Sequence, residues 1–190
     1  MTETAINLPI PMKRKLYLAA QVDQDSMNEL TKSIIEINDS DRELEKIYGI
    51  YDLNYIPKPI EILIDSYGGD VYNCLGLIGV MKKSETPVHT IANGAAMSCG
   101  FVILIHGHRR FAYEYATPMY HQVSSGVWGT VQDIEEDYKE TKRLQTIWEK
   151  MTIEKTKITK EKLKEILSKK HDWYMTSKEA LKFGVVDEIL

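Results

Sequence analysis

Apolar positions along the chain recur in two alternating modes, short continuous runs and stretches with a 3.6-residue period. Residues 15–22 (KLYLAAQV) form a strand candidate, and Met27, Leu30, Ile34 and Ile37 then return at helical spacing. Ser26 followed by Glu29 reads as a capping box opening that helix. From Asn38 to Pro59 the chain is acidic and then tyrosine-rich, closed by Pro57 and Pro59, which predicts a surface excursion. Residues 60–65 predict a second strand, Ser66 to Asp70 a glycine turn, and residues 71–81 an apolar helix. The unit then repeats, with a strand over 88–92, a turn at Asn93-Gly94 and an apolar helix over 95–105. Two short strands follow, at 110–113 and 119–123, on either side of Thr117-Pro118. A long helix over about 131–157 carries Leu144, Ile147, Trp148 and Met151 on one face and is polar elsewhere, so it is expected to project and pack on a partner. Residues 158–167 predict another helix, Lys169-Lys170-His171-Asp172 a connection, and Thr176 with Glu179 a capped last helix ending at Gly184.

No repeat or linker divides these 190 residues, so a single domain is expected, with residues 1–14 as a mobile N-terminal arm. A formal charge of -4 gives no basic field for phosphate backbones or anionic lipid, which argues against nucleic-acid and membrane partners. The start carries Glu3 and two prolines rather than an apolar export segment, and the run 91–105 is too short for a bilayer and is interrupted by Asn93, Gly94, Ser98 and Gly100. Cys74 and Cys99 have no CxxC spacing and suggest neither a disulfide framework nor a zinc site; a reducing cytoplasm is the expected location.

The two glycine turns each set backbone N–H groups beside a helix start, but neither has the spacing of a phosphate or dinucleotide fingerprint. The second is the more telling. Gly94-Ala95-Ala96-Met97-Ser98-Cys99-Gly100 places one hydroxyl among small residues, where a nucleophile would have room for substrate. His121, at a predicted strand end, is the best base; His89 lies within a strand, and His106 and His108 lack a third ligand for a metal. A histidine so placed is more often an ordinary core residue, and Asp172 beside Lys169 and Lys170 reads on its own as a solvated surface group.

In order along residues 15–189, however, the chain resembles the proteolytic subunit of the Clp protease family. Ser66-Tyr67-Gly68-Gly69 is similar to that family's Ser-Pro-Gly-Gly turn, and Gly94 to Gly100 to its Gly-Gln-Ala-Ala-Ser-Met-Gly nucleophile turn. Met119-Tyr120-His121-Gln122 resembles Met-Ile-His-Gln, and Gly126 to Leu144 the glycine-rich strand and handle helix. His171-Asp172-Trp173-Tyr174-Met175-Thr176 resembles Arg-Asp-Asn-Phe-Met-Ser, and Phe183-Gly184-Val185-Val186-Asp187 resembles Tyr-Gly-Leu-Ile-Asp. The resemblance implies a crotonase-like α/β fold with repeated β-β-α units and a protruding handle helix, and a self-compartmentalising serine endopeptidase that needs no cofactor and no metal. Ser98 would then be the nucleophile, His121 the general base and Asp172 its orienting carboxylate, with the backbone N–H groups of Gly69 and Cys99 as the oxyanion hole. It further implies unfolded polypeptide substrates, stacked homo-oligomeric rings and an AAA+ unfoldase partner. Glu61 and Leu63 stand where the family's strand carries docking tyrosines, which weakens that last expectation and leaves room for a specialised viral capsid or scaffold maturation protease. A silent ring subunit and an acyl-CoA enzyme of the crotonase fold are the remaining readings.

Overall fold

The computed structural model describes residues 11–169 and 172–190. Residues 1–10 of the expected arm, and Lys170 and His171 of the expected connection, lie outside the described residues. The chain runs β1 (Lys15–Leu18), α1 (Gln24–Ile50), β2 (Ile60–Ser66), α2 (Val71–Lys83), β3 (Val88–Met97), α3 (Cys99–Ile105), β4 (Arg109–Ala112), β5 (Thr117–Tyr120), α4 (Val131–Lys155), α5 (Lys160–Lys169), β6 (Trp173–Tyr174), α6 (Ser177–Lys182) and β7 (Glu188–Ile189). One seven-stranded sheet takes all the strands in the order β1-β2-β3-β4-β7, with β5 on β3 and β6 on β5. Every pairing is parallel except β5 with β6. This is a mixed α/β architecture whose helices supply the crossovers that parallel neighbours require. No described helix is long and apolar enough to cross a membrane.

The core follows from the periods read in the sequence. Ile60, Ile62 and Ile64 alternate inward along β2, while Met27, Leu30, Ile34 and Ile37 of α1 and Leu77, Ile78 and Met81 of α2 close over the sheet. Helix α3 is buried from Cys99 to Ile105, which is why it is apolar all round.

Four expectations are corrected. The first helix opens at Asp23, not Ser26: the Asp23 carboxylate takes the Ser26 N–H, and the Ser26 hydroxyl takes the Asp23 N–H, so Ser26 is the third residue of that capping box. The helix also continues to Ile50, through the stretch expected to be a surface excursion; its inner face there buries polar Asn38 and Asp41 beside Leu44, which breaks the apolar period. Asn38 and Asp41 are buried on it: Asn38 accepts the Glu85 and Thr86 N–H groups, and Asp41 accepts from Arg14, the Tyr55 hydroxyl (2.6 Å) and the Thr86 hydroxyl (2.5 Å). Burial works against the Asp41 charge, yet these three donors hold its carboxyl below its ordinary range. Asn93-Gly94 is no turn but the middle of β3, where the Asp65 carboxylate takes the Ala95 N–H at 2.9 Å. The helix expected from Ala95 therefore begins only at Cys99, because residues 95–97 pair with β5.

His106, at the end of α3, donates from Nδ1 to the Val102 carbonyl at 2.7 Å, and its Nε2 is buried without a partner. Burial, with Lys82, Lys155 and Arg110 nearby, lowers its pKa from 6.5 to about 4. Between those values the unfolded chain binds a proton that the folded chain refuses, so stability is full above pH 6.5 and falls as the pH drops toward 4, by roughly 3 kcal/mol. Denaturant titrations across this range should register that slope, and His106→Leu should flatten it.

Candidate active site

Strand β3 passes its last residue, Met97, against Met119 of β5 and gives way at once to α3. Ser98 occupies the junction with φ 54° and ψ -119°, a left-handed conformation that a residue with a Cβ adopts only at a cost of about 1–3 kcal/mol. Its backbone is pinned on both sides: the Ser98 N–H donates to the Met119 carbonyl at 3.0 Å, and the Ser98 carbonyl accepts from Val102 at 3.2 Å. The side chain is thereby presented toward the end of β5, where His121 is the first residue beyond the strand. His121 Nε2 lies 2.8 Å from Ser98 Oγ, so the hydroxyl can donate to the ring.

Asp172 approaches from just before β6, which β5 holds in antiparallel register. Its Oδ1 is 3.8 Å from His121 Nδ1, beyond hydrogen-bond range, and its side chain is 52% exposed. The structure thus brings Ser98 and His121 into contact and leaves the carboxylate about an ångström short of joining them.

The Ser66–Gly69 turn crosses in front of Ser98. Gly68 and Gly69 have φ 99° and 151°, in the region that favours glycine, and the space is as restrictive as the backbone. A Cβ on Gly68 would lie 2.6 Å from Ser98 Cβ and 3.0 Å from the Cys99 nitrogen; one on Gly69 would lie 2.2 Å from the Val22 carbonyl oxygen. Buried Ser66 braces the turn, donating its hydroxyl to the Ala20 carbonyl at 2.6 Å and accepting the Gly68 N–H at 3.2 Å. A Val22 bridge holds the far side, with Val22 donating to Gly68 and Asp70 donating to Val22. No backbone carbonyl accepts the Gly69 N–H among the described residues, and the Cys99 N–H, first of α3, has no partner within the helix. A cleft of about 660 Å³ opens beside the turn between Ala20, Gln21 and Tyr67.

One contributor, and one neighbour that takes no part in the site itself, were not read from the sequence. Gln145 of α4 accepts the Val123 N–H at 2.8 Å and so anchors the segment leaving His121; its place beside Leu144 on the inner face of the helix was the available signal. Cys74 of α2, unremarkable in the sequence, lies with its sulfur 3.6 Å from the Cys99 carbonyl. Among the described residues no group of three His, Cys, Asp or Glu side chains stands close enough to hold a metal ion.

A serine strained at a strand-to-helix junction, in contact with a histidine and faced by a glycine turn, defines a class: parallel-sheet α/β proteins built around a serine–histidine pair. Comparison with known proteins narrows it. The family model described as Clp protease matches residues 9–190, and the chain belongs to that family. Relatives named ATP-dependent Clp protease proteolytic subunit include one from Deinococcus radiodurans, 28% identical over 179 residues that cover 93% of this chain and 80% of the relative. Others come from Bacteroides thetaiotaomicron, 29% identical over 192 positions covering 100% of this chain and 80% of the relative, and from Porphyromonas gingivalis, 29% identical over 181, covering 94% and 74%.

Proposed function

We propose that this chain is the peptidase core of a self-compartmentalising serine endopeptidase that hydrolyses peptide bonds of unfolded polypeptides, the core itself needing no ATP. The observation that carries the reading is the 2.8 Å contact between Ser98 Oγ and His121 Nε2 at a strained junction, in a chain of this family. His121 takes the Ser98 proton as Oγ attacks the scissile carbonyl, and returns it to the leaving amine as the acyl-enzyme forms. Water then enters, His121 removes its proton, and the acyl group is released. The N–H groups of Gly69 and Cys99 receive the oxyanion of each tetrahedral intermediate; a donor of this kind contributes ~3 kcal/mol to the transition state. Asp172 steers the ring and balances the imidazolium charge.

Given the 3.8 Å separation and the exposure of Asp172, its contribution is expected to be smaller than that of the pair in contact. Asp172→Asn should lower kcat/KM by about 10²-fold, well short of the ~10⁴-fold typical where such a carboxylate is hydrogen-bonded. Steady-state hydrolysis of a short fluorogenic peptide measures the difference.

Assembly is supported by α4. Its C-terminal half packs Leu144, Trp148 and Thr152 on the body, whereas Val131, Ile134 and Tyr138 recur at i, i+3 and i+7 on its exposed N-terminal half, with Val127 and Trp128 just before them. Such a stripe calls for cover by a second copy, as in stacked rings. The name ATP-dependent carried by the relatives supports an AAA+ unfoldase as a further partner, and homology to these bacterial subunits supports a cytoplasmic setting. The test combines sedimentation velocity with peptide hydrolysis: the full chain should sediment as a large closed assembly and cleave short peptides without nucleotide. Ile134→Glu with Tyr138→Glu should yield smaller species. A monomer at all concentrations would refute compartmentalisation, and an assembled but inert chain would favour a silent ring subunit.

A further inference from the structure

We propose that Cys74 and Cys99 form an oxidation site, a thiol pair whose conversion to a disulfide switches off the Ser98 centre. This rests on the peptidase reading above. The first residue of α3 and the fourth of α2 face each other in the core, both fully buried. Cys74 Sγ donates to the Cys99 carbonyl at 3.6 Å, which makes the two side chains neighbours whose titrations are linked. Both cysteines are free.

What makes the pair more than core packing is what Cys99 touches. Its backbone N–H is one of the two groups facing the Ser98 hydroxyl's turn, and its Sγ donates to the Gly69 carbonyl at 3.2 Å, gripping the residue that supplies the other. One side chain therefore sets the relation between both proposed oxyanion donors. The neighbouring Cys74 thiol lowers the Cys99 thiol from its ordinary value against the effect of its burial, whereas Cys99 and burial together raise Cys74. Cys99 is accordingly the sulfur that ionises and reacts first.

The oxidant is a hydroperoxide small enough to enter a packed core during local opening, hydrogen peroxide in the simplest case. Cys99 thiolate attacks one peroxide oxygen, the O–O bond breaks, and a sulfenic acid forms as hydroxide leaves and takes up the thiol proton as water. The Cys74 sulfur then attacks the sulfenic sulfur; the S–S bond forms, and the hydroxyl leaves with the Cys74 proton as a second water. The two thiols lose two electrons, and one peroxide becomes two waters. In the disulfide the sulfurs are drawn to bonding distance, and Cys99 no longer has an S–H for the Gly69 carbonyl. The turn loses its grip on α3, and a displacement near 1 Å at such a site costs about 10²-fold in rate.

The experiment treats the purified full chain with hydrogen peroxide, quenches with catalase, and divides the sample. One part is digested without reduction for mass spectrometry; the other is tested for Ser98 labelling by a fluorophosphonate and for peptide hydrolysis. The expected result is a cross-linked peptide pair carrying Cys74 and Cys99, 2 Da lighter than the two thiol peptides, with labelling and hydrolysis down about 10²-fold and restored by dithiothreitol. Cys74→Ala should keep basal hydrolysis and show no dithiothreitol-reversible loss. The proposal is overturned if no cross-link forms, if a fully cross-linked sample still labels at the original rate, or if Cys74→Ala loses and regains activity as the parent does. A chain whose Ser98 takes no probe before oxidation sinks the peptidase reading and the switch with it, whereas a probe-reactive chain that fails to cross-link sinks the switch alone.

Discussion

Replacing Ser98 should remove hydrolysis, and the choice of replacement separates chemistry from backbone strain. Ser98→Ala deletes the nucleophile while keeping a Cβ at φ 54°, so kcat should fall by ~10⁴-fold or more with little change in folding stability. Ser98→Gly deletes the same oxygen but relieves the left-handed strain, worth about 1–3 kcal/mol, against about 0.5–1 kcal/mol of extra chain entropy lost on folding. The glycine variant should therefore be more stable than the alanine variant by about 1 kcal/mol, though equally inactive. Denaturant unfolding of the two proteins side by side measures this. Equal stabilities would mean that the junction is not strained, and turnover within about 10²-fold of the parent in either would mean that Ser98 is not the nucleophile.

The second large effect comes from a residue with no side chain. Gly68→Ala puts a methyl group 2.6 Å from Ser98 Cβ and 2.9 Å from the Met97 carbonyl oxygen, on a backbone at φ 99°. The Ser98 side cannot yield, because its hydrogen bonds to Met119 and Val102 lock it between β5 and α3. The turn must move instead, taking with it the Gly69 N–H proposed as an oxyanion donor. A loss of about 10²–10³-fold in kcat/KM is expected, with Ser98 and His121 still in contact. Measuring peptide turnover against thermal unfolding separates a misplaced turn from an unfolded chain; turnover near that of the parent would show that the turn takes no part in catalysis.

On its residues alone the site was only partly legible, and it was the resemblance to the Clp family that joined Ser98, His121 and Asp172. Gly68-Gly69 follows a short apolar strand, Ser98 stood out as one hydroxyl among small residues, and His121 as a histidine at a predicted strand end. The helix boundaries were harder wherever a polar residue belongs to the interior. Asn38 and Asp41 read as surface in a one-dimensional pattern, and only their partners from elsewhere in the chain, Arg14, Ser84 and Thr86, make them core. Residues 95–97 were misread for the opposite reason: Ala95-Ala96-Met97 suits a helix, and it is the pairing with β5 that holds it extended. The approach of Asp172 to His121, and of Cys74 to Cys99, depends on how distant elements dock, which local spacing does not encode.

The most direct test of the central claim is reaction of the purified chain with a fluorophosphonate probe, followed by mass spectrometric location of the adduct, with Ser98→Ala and His121→Ala in parallel. A base-activated serine predicts a single adduct on Ser98, absent from the first variant and slowed by several orders of magnitude in the second. An assembled parent protein with no adduct on Ser98, or with labelling that His121→Ala leaves unchanged, would contradict it.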